Sequence, residues 1–301
     1  MNRRIPDTAT IEAAVALALR APSAGNSQPW CWRIGYSSVH LFTDQERRQP
    51  DPGDRDLLLG CGAALHHVRV GFAALGWRTE VSRLPDPGDP AHLAVVTPHP
   101  AGPSEETVAL AAAIPRRRSD RGRHGVWPVP RDHLARLAHV AACEGAELGQ
   151  IADTARGLRR AAVAAGSRDR PGTLLTRPLA SGGELLVLST AADGRVDRLR
   201  AGEAASAVLL TATALGLSSC PLTDPLKNPE LRRAALAFAA PGQHPQILLR
   251  VGWAPPGTEP PPPTPRRPLG HVLEPLQAPP KYHHRLPALG VDPSTTASAA
   301  D

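Results

Sequence analysis

The stretch Ala21–Trp30 reads APSAGNSQPW and lies between a predicted helix, Ala9–Leu19, and a predicted strand that follows at once. The helix is predicted because apolar residues recur at helical spacing, and it ends before a proline. Small residues and a glycine let the backbone of such a loop approach a ligand closely, together with Ser23, Asn26 and Gln28. A planar, hydrogen-bonding ligand and an ordinary Asx or Ser turn both suit this loop.

A second polar stretch, Arg116–Arg121, reads RRRSDR and follows the apolar run Ala111–Ile114. Guanidinium groups are planar donors that can bind two oxygens of one phosphate. The hydroxyl of Ser119 adds a further donor. The stretch is therefore a candidate phosphate site, although a solvated basic run would have the same composition.

The chain contains an internal match. A shift of 140 residues superimposes Leu59–Gly76 on Leu199–Gly216 without gaps, with identities at seven of eighteen positions. Each stretch has the apolar spacing of a helix and ends in a glycine, which often stops helices. Strand-like runs follow at Leu93–Thr97 and Ile247–Val251. The match predicts a duplicated unit, and two alanine-rich helices of independent origin are the alternative.

The composition is typical of a globular chain, since 42% of the 301 residues are hydrophobic. No apolar run approaches the ~18 residues of a membrane span, and no secretory pattern is evident, so we expect a cytoplasmic protein. The four cysteines lie far apart with no histidine at ligand spacing, which predicts reduced thiols and no metal site. Despite the net charge of +6, only 3% of residues are aromatic, so stacking on nucleic-acid bases is not expected.

Together, the two polar stretches resemble the FMN-binding signature of the nitroreductase superfamily. That family's R-x-S-x-K/R element, which contacts the FMN phosphate, is similar to Arg117–Arg121. Its A-P-S-x-x-N-x-Q-P-W element at the flavin is matched by Ala21–Trp30 at every fixed position. A family arginine near the chain end, which reaches the phosphate, corresponds to Arg266-Arg267, with Arg267 the better match. Gly216–Thr223 is similar, more loosely, to a segment that passes the reactive face of the flavin.

The resemblance implies an α+β, nitroreductase-like fold. In ordinary members the phosphate element comes first and two identical subunits form the site, whereas here the order is reversed. This resembles the Acg-type branch, in which two nitroreductase-like halves form a pseudo-dimer in one chain, and it implies internal duplication. We place the halves at residues 1–103 and 104–280, and a disordered tail at 281–301. Residues 156–181 are predicted to form a loop or short lid, and Pro255–Pro268 an extended segment around the body.

The family implies hydride transfer from NAD(P)H to nitro, quinone or similar acceptors, with flavin N5 carrying the hydride and no catalytic side chain. A flavin-storage protein with a closed pocket is the alternative. No nucleic-acid or membrane partner is expected. Because only the first half keeps the flavin loop and only the second keeps the phosphate element, one FMN per chain is predicted. The predicted FMN-binding residues are Pro22, Ser23, Asn26, Gln28, Arg117, Arg118, Ser119, Arg121, Leu222, Thr223 and Arg267.

Overall fold

A computed structural model describes residues 5–122, 124–167 and 183–276, which form a mixed α and β structure. Its helices are α1 (Thr8–Ala18), α2 (Arg55–Ala74), α3 (Glu105–Ala113), α4 (Arg131–Cys143), α5 (Arg156–Ser167), α6 (Arg195–Ala214) and α7 (Pro229–Leu236). Its strands are β1 (Trp30–Ile34), β2 (Val39–Thr43), β3 (Trp77–Arg83), β4 (His92–Pro100), β5 (Glu147–Gln150), β6 (Glu184–Thr190), β7 (Ser218–Leu222), β8 (His244–Gly252) and β9 (Leu273–Pro275).

The strands form two sheets. The first has the order β3-β4-β2-β1-β9, and the second has the order β5-β6-β8-β7. Neighbouring strands are antiparallel except for β1 and β9, which are parallel. Read from its other edge, the second sheet repeats the first in chain order, with β7-β8-β6-β5 in place of β3-β4-β2-β1.

Local sequence signals predict most of the long elements. The expected first helix is confirmed as α1, which begins where the Asp7 carboxylate accepts the backbone N–H of Thr10 at 2.9 Å. The predicted loop at 156–181 is wrong in its first part, because α5 lies there and buries Leu158 and Ala162. The rest of that segment, from residue 168, and the predicted tail at 281–301 lie outside the described residues.

The boundary predicted at residue 103 is crossed by the C-terminal segment. Strand β9, assigned by sequence to the second half, completes the first sheet by pairing Trp32 with Leu273. Val272, just before β9, is buried in the core of the first sheet with Trp30. Residues far apart in the chain therefore stabilise the same sheet, and the division into two halves stays a prediction.

Helix α2 is the one described helix that is long and apolar enough to cross a membrane, with a mean hydropathy of 1.3. Of that window, 83% is buried against the rest of the protein. Its neighbours include α1, through which Ala14 packs directly on Gly71. The burial is that of a core helix.

Helices α2 and α6 cross in contact at two glycines, which lie at equivalent positions of the 140-residue repeat. A Cβ atom on Gly62 would overlap the carbonyl oxygen of Leu199, and one on Gly202 would overlap that of Leu59. The contact is reciprocal, since each glycine meets the leucine that lies three positions before the other glycine. The crossing therefore requires two residues without side chains.

We predict that Gly202→Ala lowers the free energy of unfolding. The added methyl forces two backbones apart, an overpacking cost of about 1–3 kcal/mol. This exceeds the gain of about 1 kcal/mol that alanine brings to a helix interior. Urea denaturation should show a lower midpoint for Gly202→Ala and little change for Gly102→Ala, where nothing lies within 4 Å of the new atom. Equal midpoints for the two variants would contradict the close crossing.

Candidate functional site

A cavity of about 610 Å³ lies between α2 and α6. Its helical walls consist of residues spaced by three or four, so that one face of each helix is turned toward it. Small side chains on those faces leave the space open. The wall residues are Asp56, Leu59, Gly60 and Ala63 of α2, and Gly202, Ala205, Ser206 and Leu209 of α6.

The 21–30 loop forms one side of the cavity through Pro22, Ser23 and Asn26. The loop is folded back on itself, because the Ser23 hydroxyl accepts the backbone N–H of Gln28 at 2.9 Å. It lies close to α2, where a Cβ on Gly60 would stand 3.2 Å from that of Ser23. Asn26 and Gln28 adopt left-handed backbone angles, with φ of 54° and 50°. Asparagine accepts this conformation better than most side chains.

Arg117 is a buried residue of the cavity wall. Only 5% of the residue is exposed, and its Nε has no hydrogen-bond partner. Among the described residues, its one side-chain hydrogen bond runs from Nη1 to the Ser119 hydroxyl at 3.3 Å. Burial, followed by repulsion from Arg266 and Arg118, lowers the pKa of Arg117 to about 10. The guanidinium remains charged at neutral pH, and no carboxylate of the described residues pairs with it.

Four arginines of the cavity wall form a cluster without a carboxylate. None has a carboxylate oxygen within 4.0 Å in the part of the chain that is described. Buried cations are normally paired, so such a cluster favours an anionic ligand. Guanidinium forks match phosphate oxygens in geometry as well as in charge. The four residues are Arg20, Arg117, Arg118 and Arg266.

Arg266, rather than the predicted Arg267, belongs to this cluster. Arg266 lines the cavity and donates from Nη1 to Oδ1 of Asn26 at 2.9 Å. Arg267 turns away, forms a buried ion pair with Asp44 at 2.8 Å, and donates to the carbonyl of Trp30 at 3.2 Å. Arg266, and not Arg267, lines the cavity, and the role predicted for Arg267 at the ligand stays a prediction. Consecutive residues of an extended segment project to opposite sides, so only one of the pair can face the cavity.

Gln28 is also placed away from the cavity. Its Oε1 accepts the backbone N–H of Arg267 at 2.9 Å, and its Nε2 lies 3.4 Å from the carbonyl oxygen of Pro265. Asn26 donates to the same carbonyl at 3.1 Å. The buried side chain of Gln28 thus holds the 21–30 loop to residues 261–267, and its predicted ligand contact stays a prediction. We call residues 261–267 the proline strap.

The proline strap covers part of the cavity, a role that the sequence did not assign to it. Its extended course was predicted from proline content, but not where it would lie. Proline restricts the chain to an extended form with few donors, which suits a cover that must not compete for a ligand. The strap residues on the cavity are Pro261, Pro262, Pro263, Thr264 and Arg266.

The remaining predicted residues meet at the cavity although they are remote in the chain. Strand β7 ends at the wall, which places Leu222 and Thr223 there. Arg121 also lines the cavity and donates to the carbonyl of Ala165 in α5 at 3.5 Å. The structure brings together Pro22, Ser23, Asn26, Arg117, Arg118, Ser119, Arg121, Leu222 and Thr223.

Two carboxylates also line the cavity, those of Asp56 in the first turn of α2 and of Asp224, and Lys227 Nζ lies 2.6 Å and 3.0 Å from them. Burial, followed by repulsion from Arg117, lowers the pKa of His67. Positions 56 and 67 are about 16 Å apart along a helix that rises 1.5 Å per residue. These carboxylates and Arg117 therefore lie near different parts of α2. No sequence signal singled out these acidic residues.

The 140-residue shift relates the cavity wall to a second region on the other side of the helix crossing, and that region is filled by side chains. The 140-residue shift takes Ala63, Ser206 and Leu209 of the cavity wall to Glu203, His66 and Arg69. Arg69 Nη1 lies 2.7 Å from the fully buried Glu203 carboxylate, and Arg83 Nε lies 2.6 Å from it. Burial, followed by repulsion from Arg69, lowers the pKa of His66 to about 3 and keeps it neutral. Charged groups thus occupy this region.

The described residues contain no cluster of three or more histidine, cysteine or acidic side chains that could hold a metal. Cys61 and Cys220 are buried, and burial raises the pKa of both thiols, so neither is a ready nucleophile. The cavity offers an anion site, narrow walls and hydrogen-bonding loops. Such a site can bind and orient a phosphorylated planar molecule.

Comparisons with known proteins show the family of the chain. No family model matches the chain. The chain is 43% identical to Rv3131 of Mycobacterium tuberculosis, over 91% of its own length and 94% of that protein, and 35% identical to Acg of the same organism, over 89% and 98%. Both relatives are named "Putative NAD(P)H nitroreductase". The chain belongs to the nitroreductase family, and the family resemblance seen in its sequence is confirmed.

A solved structure supports the fold separately. The crystal structure of a "putative nitroreductase" from Anabaena variabilis superimposes with a TM-score of 0.60, at 10% identity, over 84% of this chain and 90% of that one. At this identity the likeness concerns the fold alone. The α+β, nitroreductase-like fold predicted from the sequence is confirmed.

The two neighbouring arginines of the strap should respond differently to substitution. We predict that Arg266→Ala weakens phosphate binding and leaves stability nearly unchanged, because it removes one cation from a like-charged cluster. Arg267→Ala should lower the free energy of unfolding by about 3–5 kcal/mol, since it leaves Asp44 buried and unpaired. Thermal unfolding with and without inorganic phosphate measures both effects. A loss of the phosphate-induced stabilisation in Arg267→Ala alone would restore the sequence-based assignment.

Proposed function

We propose that the protein is an FMN-dependent oxidoreductase that transfers hydride from NAD(P)H to nitro, quinone or similar acceptors. The observation that carries the proposal is the arginine cluster that lines the cavity beside the 21–30 loop and that has no carboxylate partner among the described residues. The relatives named as NAD(P)H nitroreductases support the same reaction.

The residues present fit FMN. Its phosphate carries close to two negative charges at neutral pH, and the buried Arg117 has a free Nε to receive it. The cavity volume of about 610 Å³ lies within the range of small-molecule sites, roughly 300–1,000 Å³. Arg118, Ser119, Arg121 and Arg266 would complete the phosphate site.

The flavin ring would lie between the small residues of α2 and α6. Pro22, Ser23 and Asn26 would border it on one side, and Leu222 and Thr223 on the other. When bound, FMN supplies the hydride-carrying chemistry, and the protein supplies orientation and electrostatics. The arginines would hold the phosphate, and the small residues of α2 and α6 would leave a slot for the planar ring. The proline strap would exclude bulk water.

Asn26 has two roles open to it. Its amide already contacts the carbonyl of Pro265 and the guanidinium of Arg266, which fixes the loop to the strap. It also borders the cavity, where an amide could donate to a ring edge on which charge develops. The first role is a contact within the protein, and the second stays a proposal.

A second candidate function is flavin storage. The proline strap is held over the cavity by Asn26, Gln28 and the buried Arg267–Asp44 pair. This favours slow exchange of a bound flavin and restricts the entry of large substrates. The two functions share one cofactor site and differ in whether nicotinamide and acceptor reach the ring.

Steady-state oxidation of NADH and NADPH, with nitro and quinone acceptors, separates the two functions. A yellow protein that oxidises either nucleotide faster than free FMN supports the oxidoreductase. A yellow protein without turnover supports storage. A colourless protein that fails to take up added FMN would contradict both.

We predict that Arg117→Ala/Arg121→Ala loses FMN on purification. The double variant lacks two charge-assisted contacts to the phosphate, each worth about 1.5–3 kcal/mol. Flavin absorbance relative to protein measures the loss. Arg136→Ala is the matched control, because Arg136 is exposed and pairs only with Glu106 at 3.2 Å. A double variant as yellow as the control would place the phosphate elsewhere.

We further propose that the two sheets descend from a duplicated unit and that one FMN binds per chain. The repeated strand order and the reciprocal glycine contact support duplication. The equivalent of the cavity holds Glu203, Arg69 and Arg83 in mutual ion pairs, which leaves no room there for a second ring. The second location also lacks a copy of Ala21–Trp30.

The expected stoichiometry is one FMN per chain after reconstitution with excess flavin. Flavin released by denaturation, counted against protein, measures it. Because the ion-paired cluster is buried, Glu203→Ala should destabilise the fold without adding a second flavin. A reproducible ratio near two in the unmodified protein would overturn the asymmetric assignment.

A further inference from the structure

The phosphate motif contains one acidic residue, Asp120, among its arginines. Its carboxylate is held by two neutral donors. Oδ2 accepts the hydroxyl of Ser218 at 2.6 Å, and Oδ1 accepts the backbone N–H of Gly122 at 2.8 Å. In the described ranges no arginine nitrogen lies within 4.0 Å of this carboxylate. Asp120 lines the same cavity as the arginines that flank it in sequence, but its carboxylate is engaged by these two neutral donors.

The backbone around Asp120 is fastened to the second sheet. Its N–H donates to the carbonyl of Ser219 at 2.9 Å, and Ser119 forms a parallel bridge with Ser219. Arg250 of β8 donates to the carbonyl of Gly122. The motif therefore lies along β7, whose end forms the cavity wall at Leu222. The phosphate site and the wall beside the ring share one rigid support.

The direction of the Asp120 carboxylate matters for the charge of the site. Arg117 and Arg118 border the cavity, and no carboxylate in the described part of the chain pairs with them. A carboxylate a few residues away could pair with them and would then compete with a phosphate for the same donors. The Ser218 hydroxyl removes this competitor by occupying Oδ2. A hydroxyl can do so without adding charge.

We propose that Ser218 and Asp120 form a positioning pair that keeps the arginine cluster available for the FMN phosphate. The pair acts through the arginines, and neither member needs to touch the ligand. This inference rests on the proposed function. It explains why the arginines of the cluster do not pair with the Asp120 carboxylate. It also assigns a role to the serine in β7 that precedes the cavity wall.

The test compares flavin affinities of the full-length chain after removal of bound flavin. Ser218→Ala should raise the Kd for FMN about tenfold, because the freed carboxylate can then pair with an arginine. The Kd for riboflavin, which has no phosphate, should stay unchanged. Ser218→Ala/Asp120→Asn should recover FMN affinity, since the competing charge is gone. Ser219→Ala is the matched control, because the buried Ser219 hydroxyl has no partner.

Two results would overturn the inference. An FMN Kd unchanged in Ser218→Ala would show that the hydroxyl does not control the cluster. An equal loss of FMN and riboflavin affinity, without recovery in the double variant, would show that Ser218 only supports the fold. If the unmodified chain binds neither flavin, the proposed function itself fails, and the failure is visible before any variant is compared.

Discussion

The close crossing of α2 and α6 is the constraint on which the rest of the structure depends. Gly62 and Gly202 bring the two backbones into contact, and each meets a carbonyl oxygen of the other helix. The crossing holds the two sheets in a fixed relation, because each helix packs in the core of its own sheet. It also sets the width of the cavity, because helical turns of α2 and α6 next to this contact form the cavity walls.

The arginine cluster places unpaired positive charge on the wall of this cavity. Arg117 is buried and charged at neutral pH, with a pKa lowered to about 10, and Arg266 and Arg118 repel it. A cation held in this way destabilises the ligand-free fold, and a bound anion offsets that cost. Two nearby carboxylates have other partners: Asp44 is paired with Arg267, and Asp120 accepts hydrogen bonds from neutral donors. Ligand binding and folding are thereby coupled through charge.

The two sides of the crossing differ although the two sheets share a strand order. On one side, small residues such as Ala63 leave the cavity open. On the other side, the equivalent Glu203 is fully buried and bound by Arg69 and Arg83. A buried carboxylate with two guanidinium partners is satisfied internally and has no need of a ligand. The same helix geometry therefore supports an open site and a filled one.

The sequence by itself determined the long helices, the two polar motifs and the family, because periodicity, loop composition and a ten-residue pattern are local signals. Most of the residues that it proposed for FMN binding line one cavity. Only the tertiary structure decided that Arg266 faces the cavity while Arg267 pairs with Asp44, and that Gln28 holds the proline strap. Those outcomes depend on side-chain direction and on partners more than two hundred residues away, which no local pattern encodes.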